Sequence, residues 1–189
     1  MTFLTEAFVL RRGLRGEFDR QYTLLTSDLG KVSVIAKSAS KTISKLASHL
    51  DFFCLSEVMI APGAGMHRLA GAKIKFAPKN IQQNLSKLAL ANVFFEAVDL
   101  LLLERAQEKK VFLISNNFIN QLDNSATVRE SLIIFNQHLF SLLSILGYEP
   151  QLDYKKQSEL GLAMIKTVQE ISDKKFCSLP ALTKIFSQA

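Results

Sequence analysis

Residues 4–37 read LTEAFVLRRGLRGEFDRQYTLLTSDLGKVSVIAK, in which three runs rich in β-branched, aromatic and leucine side chains alternate with glycine-containing turns. The runs are residues 4–12, 21–26 and 31–37. Runs of this length and composition, bounded by Gly, Asp and Ser, are typical of β-strands. The turn at 27–30 suits a tight hairpin, because Gly30 adopts a left-handed backbone conformation at no steric cost. The segment therefore predicts three short strands in succession.

Two more runs of the same kind lie in the first 80 residues of the chain. They cover residues 52–60 and 71–76, and the turn signal Pro62-Gly63-Ala64-Gly65 lies between them. Six of the eight glycines fall in these first 80 residues, where they mark turns. Five short strands with glycine-marked turns predict a small, partly open β-barrel, for which the OB-fold is the natural candidate.

From Asn84 onward the apolar residues recur every three or four positions, which is the period of an amphipathic helix. The first such stripe contains Leu88, Ala91, Phe95, Val98 and Leu102. A further helix is expected to begin at the capping box formed by Thr127 and Glu130 and to end at Gly147. Weaker helical patterns cover residues 110–122, 158–172 and 179–186.

The polar segment at 77–80 contains Pro78 and is the expected joint between the two halves, since proline disfavours helix at the residue before it. We therefore predict an α+β chain of two domains. An OB-fold domain is expected at residues 1–79 and an all-helical domain at residues 80–189.

Composition narrows the class of protein. A hydrophobic fraction of 48% and a charged fraction of 21% exclude a disordered or fibrous chain. The first ten residues lack the basic start of a signal peptide. The longest uncharged run, 131–148, contains Asn136, Gln137 and His138, which favours a buried helix over a transmembrane one. We expect a cytoplasmic protein with Cys54 and Cys177 as buried thiols.

An enzyme needs a constellation of reactive side chains, and the sequence offers little of this kind. Its three histidines are scattered, and no catalytic or nucleotide-binding motif of known spacing occurs. Glu17 and Asp19 form the closest carboxylate pair in the basic half and suit either Mg²⁺ binding in a nuclease or a turn that balances nearby arginines. The turn is the favoured reading, so we expect no catalysis, no metal and no cofactor.

The charge is segregated along the chain. The sequence has 23 basic and 17 acidic side chains, and its whole excess of +6 lies in residues 1–80, which hold 12 basic and 6 acidic ones. Such asymmetry points to a polyanion, either nucleic acid or an anionic membrane surface. The basic side chains fall into clusters: Arg11, Arg12, Arg15 and Arg20; Lys37, Lys41 and Lys45; and Arg68, Lys73 and Lys75. Phe18 is the aromatic ring best placed for exposure beside them.

The order of several short motifs resembles the RecO family of bacterial DNA-repair proteins. They are TEAFVLR at 5–11, GEFDR at 16–20, LLT at 24–26, LGK at 29–31 and the basic segment at 41–46, followed by LGYEPQLD at 146–153. The resemblance covers residues 4–153. It departs in two places: Ser38 and Ser40 replace Gly and Arg of the family's basic loop, and the four cysteines of a zinc module that follows in many members are missing. The chain therefore resembles a short form without that module.

The resemblance implies an OB-fold that binds single- and double-stranded DNA, anneals complementary strands, including strands coated by single-stranded-DNA-binding protein, and with RecR assists RecA loading. It favours DNA over a membrane, and it implies a nucleoid-associated cytoplasmic protein. The residues expected to contact DNA are, in order of preference, Lys37, Lys41 and Lys45, then Arg12, Arg15 and Arg20, then Arg68 and Lys31. The neutral helical half is expected to serve as a scaffold that docks proteins. The alternative is an OB-fold adaptor that binds only proteins.

Overall fold

The computed structural model of the protein describes residues 2–37, 49–104, 108–148 and 157–186, apart from the side chains at 158 and 183–186. The strands are β1 (Phe3–Arg15), β2 (Asp19–Thr26), β3 (Gly30–Ala36), β4 (Leu55–Ala61) and β5 (His67–Phe76). The helices are α1 (Lys79–Gln83), α2 (Leu85–Leu101), α3 (Lys109–Asn124), α4 (Val128–Ile145), α5 (Gln157–Ser172) and α6 (Leu179–Phe186). The α+β class, with a β-barrel followed by helices, is confirmed.

The chain divides into two compact units. The first comprises Met1–Ala77 and Leu102–Phe112, and the second comprises Pro78–Leu101 and Leu113–Ala189. The change of unit after Ala77 falls within the expected joint at 77–80. The expected helical domain at 80–189 differs from this division in one segment, because residues 102–112 belong with the barrel.

The five strands close into a barrel in the order β1-β2-β3-β5-β4, with β1 paired to β4. All neighbouring strands are antiparallel except β3 and β5, which are parallel. The sequence predicted a partly open barrel, and the closure comes from the length of β1. Residues 3–7 of this strand pair with β4, and residues 7–15 pair with β2.

Closing the barrel around one strand requires that strand to bend. β1 bends at an irregularity in its pairing with β2 between Val9 and Arg11, and a bulge of this kind increases local bend and twist. Before it, alternate residues such as Ala7 and Val9 point into the barrel core with Leu24. Beyond it, β1 continues to Arg15 with every side chain from 11 to 15 exposed.

The β2–β3 hairpin forms as expected. Gly30 has φ +69°, in the left-handed region that the sequence predicted for it. The Thr26 hydroxyl closes the turn, since it donates to the Gly30 carbonyl at 2.8 Å and accepts from the Leu29 N–H at 3.0 Å. This hairpin fixes the register of the two central barrel strands.

The segment at 102–112 covers part of the outer barrel face. The rings of Phe8 and Phe112 lie 5.7 Å apart between centroids. The Lys31 ammonium donates to the Leu102 carbonyl oxygen at 3.0 Å, and the residue is only 8% exposed. The expectation that Lys31 contacts DNA is therefore corrected: β3 places its side chain on a face that this segment buries.

The helical unit packs around aromatic side chains. The Phe118 ring lies 4.1 Å from that of Phe94 and 6.5 Å from that of Phe135, measured between centroids. His138 packs against the same ring, and its Nδ1 lies 2.8 Å from the Ile134 carbonyl oxygen. Burial lowers the pKa of His138, which favours the neutral imidazole in this helical core.

Two helix starts are fixed by side chains. Thr127 caps α4, accepting from the Glu130 N–H at 3.1 Å, while Glu130 accepts from the Ala126 N–H at 2.7 Å. At α6, the Glu96 carboxylate accepts from the N–H groups of Cys177 and Ser178 at 2.7 and 3.0 Å. Cys177 is exposed, which corrects the expectation of a buried thiol, whereas Cys54 is buried.

The α4 cap yields a stability prediction. Thr127→Ala removes the acceptor of the Glu130 N–H and is expected to lower the free energy of unfolding by about 1 kcal/mol. Thr167→Ala is the matched control, because that hydroxyl only donates to the Ala163 carbonyl within α5 at 3.1 Å, and its effect should stay within about 0.5 kcal/mol. Denaturant unfolding followed by circular dichroism measures both. Equal losses in the two variants would contradict the role of the cap.

The burial of Lys31 yields a second stability prediction. Lys31→Met keeps the apolar stem but leaves the Leu102 carbonyl without its donor, so the free energy of unfolding should fall by about 1–3 kcal/mol. Lys37→Met is the matched control at an exposed position, and its change should be below about 0.5 kcal/mol. Denaturant unfolding followed by circular dichroism measures the free energy of unfolding of both variants. A Lys31 variant as stable as the Lys37 variant would show that the buried contact contributes nothing.

Candidate nucleic-acid interface

The end of the first hairpin projects from the barrel as a two-stranded ribbon, residues 11–15 of β1 paired with residues 19–23 of β2, which we call the β1–β2 ribbon. Its cross-strand pairs are Arg11–Thr23, Arg12–Tyr22, Gly13–Gln21, Leu14–Arg20 and Arg15–Asp19. The turn that joins its strands contains Gly16 with φ +69°, a conformation that favours glycine, and Phe18, which is 46% exposed. Phe18 is thus exposed beside the arginines, as the sequence indicated.

One face of the ribbon continues the inner face of the barrel. Residues directly opposite in a sheet share a face, and Arg12 lies opposite Tyr22, whose side chain is in the barrel core. Arg20 lies opposite the core residue Ala36 of β3. Arg12, Leu14 and Arg20 accordingly line one concavity of about 290 Å³ at the mouth of the barrel. We call this the inner face.

Arg12 is held on the inner face by two contacts. Its guanidinium lies 5.1 Å from the centroid of the Phe52 ring, and one of its nitrogens lies 3.9 Å from the Asp51 carboxylate. The ring orients the guanidinium, and the cation–π contact adds about 0.5–1 kcal/mol at an exposed site. The ion pair is solvent-exposed on both sides, so Asp51 is a weak partner that a phosphate can replace.

The opposite, outer face of the ribbon carries Arg11 and Arg15, because side chains alternate along β1. Arg68 of β5 lies on the same side, since it pairs with Ile35, which in turn pairs with Gln21. The Arg15 guanidinium donates to the Met66 sulfur at 3.1 Å, so it reaches the loop at 62–66 between β4 and β5. In OB-folds, the β2–β3 face and the β1–β2 and β4–β5 loops are the surfaces that bind oligonucleotides.

The predicted lysine loop lies only partly within the described structure. Lys37 is exposed and directly follows Ala36, the partner of Arg20. Lys41 and Lys45 lie outside the described residues. The described residues before and after this segment are Lys37 and His49, and His49 lies two residues before Asp51.

Basic residues elsewhere on the barrel are balanced by acidic ones. The Lys75 ammonium lies 2.6 Å from the Glu6 carboxylate, and this hydrogen bond raises the pKa of Lys75. Lys73 pairs across the sheet with Glu57. The ribbon differs in that four arginines lie close together on it, with Asp51, Glu17 and Asp19 as nearby acidic residues.

Sequence reasoning missed several members of this surface. Arg11 was recognised as basic but was not included among the expected DNA contacts. The alternation of side chains along a strand is the signal that places Arg11 and Arg12 on opposite faces. Asp51 and Met66 are ordinary residues in sequence, and only the folded chain brings them to Arg12 and Arg15. In the part of the chain that the structure describes, Glu17 and Asp19 do not belong to any group of three or more side chains suited to hold a metal ion. None of the described helices is long and apolar enough to cross a bilayer.

Comparison with known proteins adds independent information. Residues 1–77 match the family model for the N-terminal part of recombination protein O, and residues 82–159 match the model for its C-terminal part. Similar proteins include the DNA repair protein RecO of Dehalococcoides mccartyi strain 195, 34% identical over 150 residues, which are 79% of this chain and 58% of the relative. The RecO of Roseiflexus sp. strain RS-1 is 33% identical over 79% of this chain and 52% of the relative.

The match thus spans little more than half the length of these relatives. Both family models lie in the order expected from the motifs, one on the barrel and one on the helices that follow it. The boundary between them, at 77–82, coincides with the change of unit after Ala77. The chain belongs to the RecO family of DNA-repair and recombination proteins.

Proposed function

We propose that this protein binds single- and double-stranded DNA through phosphate contacts, anneals complementary strands and assists RecA loading in recombinational repair. The observation that carries the proposal is the β1–β2 ribbon, where four arginines project from an OB-type barrel whose topology is used for oligonucleotide binding. Membership of a family of DNA-repair proteins supports the same role. The protein acts by binding and not by catalysis.

Annealing requires two polyanions to be held close together. Cationic side chains permit this because they neutralise phosphates and release the counterions condensed on DNA. Arginine suits the task, since its planar guanidinium matches phosphate oxygens with two parallel hydrogen bonds. Base pairing supplies the sequence specificity, so contacts to base edges are unnecessary.

The proposed contact residues keep the order given by the sequence. Lys37, Lys41 and Lys45 remain the first candidates, and Lys37 is exposed directly after Ala36, the partner of Arg20. Arg12, Arg15 and Arg20 come next, together with Arg68 on the outer face, and the alternation of β1 adds Arg11. Lys31 is left out because it is buried against Leu102.

The helical unit is proposed to dock protein partners, RecR and single-stranded-DNA-binding protein. Residues 78–101 and 113–189, which form this unit, hold 9 basic and 9 acidic side chains, so the unit has no excess charge to attract phosphate. A surface without net charge is better suited to a protein than to a polyanion.

Salt dependence separates a DNA binder from a protein-binding adaptor. Affinity for an oligonucleotide should fall linearly with salt on logarithmic axes, with a slope of about −0.7 per neutralised phosphate of a single strand. Lys37→Met should reduce the magnitude of this slope by about 0.7 and weaken binding, whereas Lys31→Met, in protein that is still folded, should change neither. Fluorescence anisotropy titrations at several salt concentrations measure the oligonucleotide affinity of the wild type and of both variants. Absence of binding by the wild type at ~50 mM salt would leave the adaptor as the better reading.

Strand annealing tests the proposed activity directly. The variant with Lys37→Glu, Lys41→Glu and Lys45→Glu should lose nearly all annealing, with naked strands and with strands coated by single-stranded-DNA-binding protein, because it replaces three attractive charges by repulsive ones. The control reverses Lys73, Lys75 and Lys79, outside the proposed surface, and should retain most of the activity. Unchanged annealing in the first variant, with its fold verified by circular dichroism, would move the site elsewhere.

A further inference from the structure

The arginines of the β1–β2 ribbon do not form one patch. Arg12 and Arg20 lie on the inner face, together with the concavity that they line, while Arg11 and Arg15 lie on the outer face. The two-residue period of a strand imposes this separation, because successive side chains point to opposite sides. A single row of phosphates that follows one face does not reach the arginines of the other.

Each face carries its own positive charge and its own positioning contacts. On the inner face Asp51 pairs with Arg12, and the Phe52 ring orients the same guanidinium. On the outer face Arg11 and Arg15 are joined by Arg68, with Asp19 as the acidic residue paired to Arg15. Each face therefore carries at least two cationic side chains.

We propose that the two faces of the β1–β2 ribbon are two separate DNA-binding sites, which hold two strands on one protomer at the same time. This inference rests on the proposed function and specifies how annealing is achieved. Each strand meets a different arginine pair, so neither has to displace the other. The two DNA strands leave the ribbon at the turn that contains Gly16 and Phe18, where the two faces meet and their bases can pair.

Holding both strands on one protomer changes the order of the annealing reaction. The encounter of the two strands becomes intramolecular, with an effective concentration set by the short distance across the ribbon, which is in the millimolar range for short flexible connections. The sheet between the sites also keeps the bound phosphate rows apart until pairing begins. Loss of either face should then slow annealing at least ten-fold even though one DNA strand still binds.

The test uses two non-complementary oligonucleotides of ~12 nucleotides, within the range of site sizes of OB-folds, one with a donor dye and one with an acceptor. The proteins are the wild type, Arg12→Ala with Arg20→Ala, and Arg11→Ala with Arg15→Ala. Lys73→Ala with Lys75→Ala is the control that removes the same charge from another wall of the barrel. Thermal unfolding verifies each variant, and light scattering gives the protomer count for normalisation.

The wild type and the control are expected to bind two strands per protomer and to show energy transfer between them. Each arginine variant should bind one strand per protomer, lose energy transfer and lose at least ten-fold in annealing rate. One strand per wild-type protomer, weakened equally by both double variants, would show that a single strand wraps around the ribbon and would overturn the two-site inference while leaving DNA binding intact. No binding of either oligonucleotide at low salt would instead refute the proposed function itself.

Discussion

The bend in β1 is the constraint on which the other features depend. One strand of 13 residues pairs with β4 in its first part and with β2 in its second, which closes the barrel without a free edge there. The irregularity between Val9 and Arg11 lets the strand turn from one neighbour to the other. Beyond that point the strand has left the core, so its residues are free to be charged. The ribbon with its four arginines is the result.

Much of this fold could be predicted from local sequence signals. The strands, the left-handed Gly30 and the capping residue Thr127 each depend on interactions within a few residues, and such signals are visible in the sequence. Lys31 shows what could not be predicted. Its alternation with Val32 places it on the outer face, but its burial depends on a carbonyl 71 residues away. The closure of the barrel depends likewise on pairing between β1 and β4, which are distant in the chain.

Only part of the candidate site could be predicted, because some of its features depend on contacts between residues that are distant in the chain. Charge segregation located the basic half, and motif order located the family, because both are properties of the sequence itself. The balance of charge on the surface is a property of the fold: Lys75 is paired with Glu6, and Arg12 is stacked on Phe52. Among the described residues, four arginines therefore group at the ribbon, whereas Lys75 elsewhere on the barrel is paired with an acidic residue.

The central claim is that DNA phosphates contact the arginines of the ribbon, and side-chain NMR tests it most directly. The Nε–Hε signals of isotope-labelled protein would be followed during titration with a single-stranded oligonucleotide at low salt. The predicted result is a shift of the signals of Arg11, Arg12, Arg15 and Arg20, while the signal of Arg129 in α4 stays in place. Binding that moves Arg129 and leaves the four ribbon signals unchanged would contradict the claim.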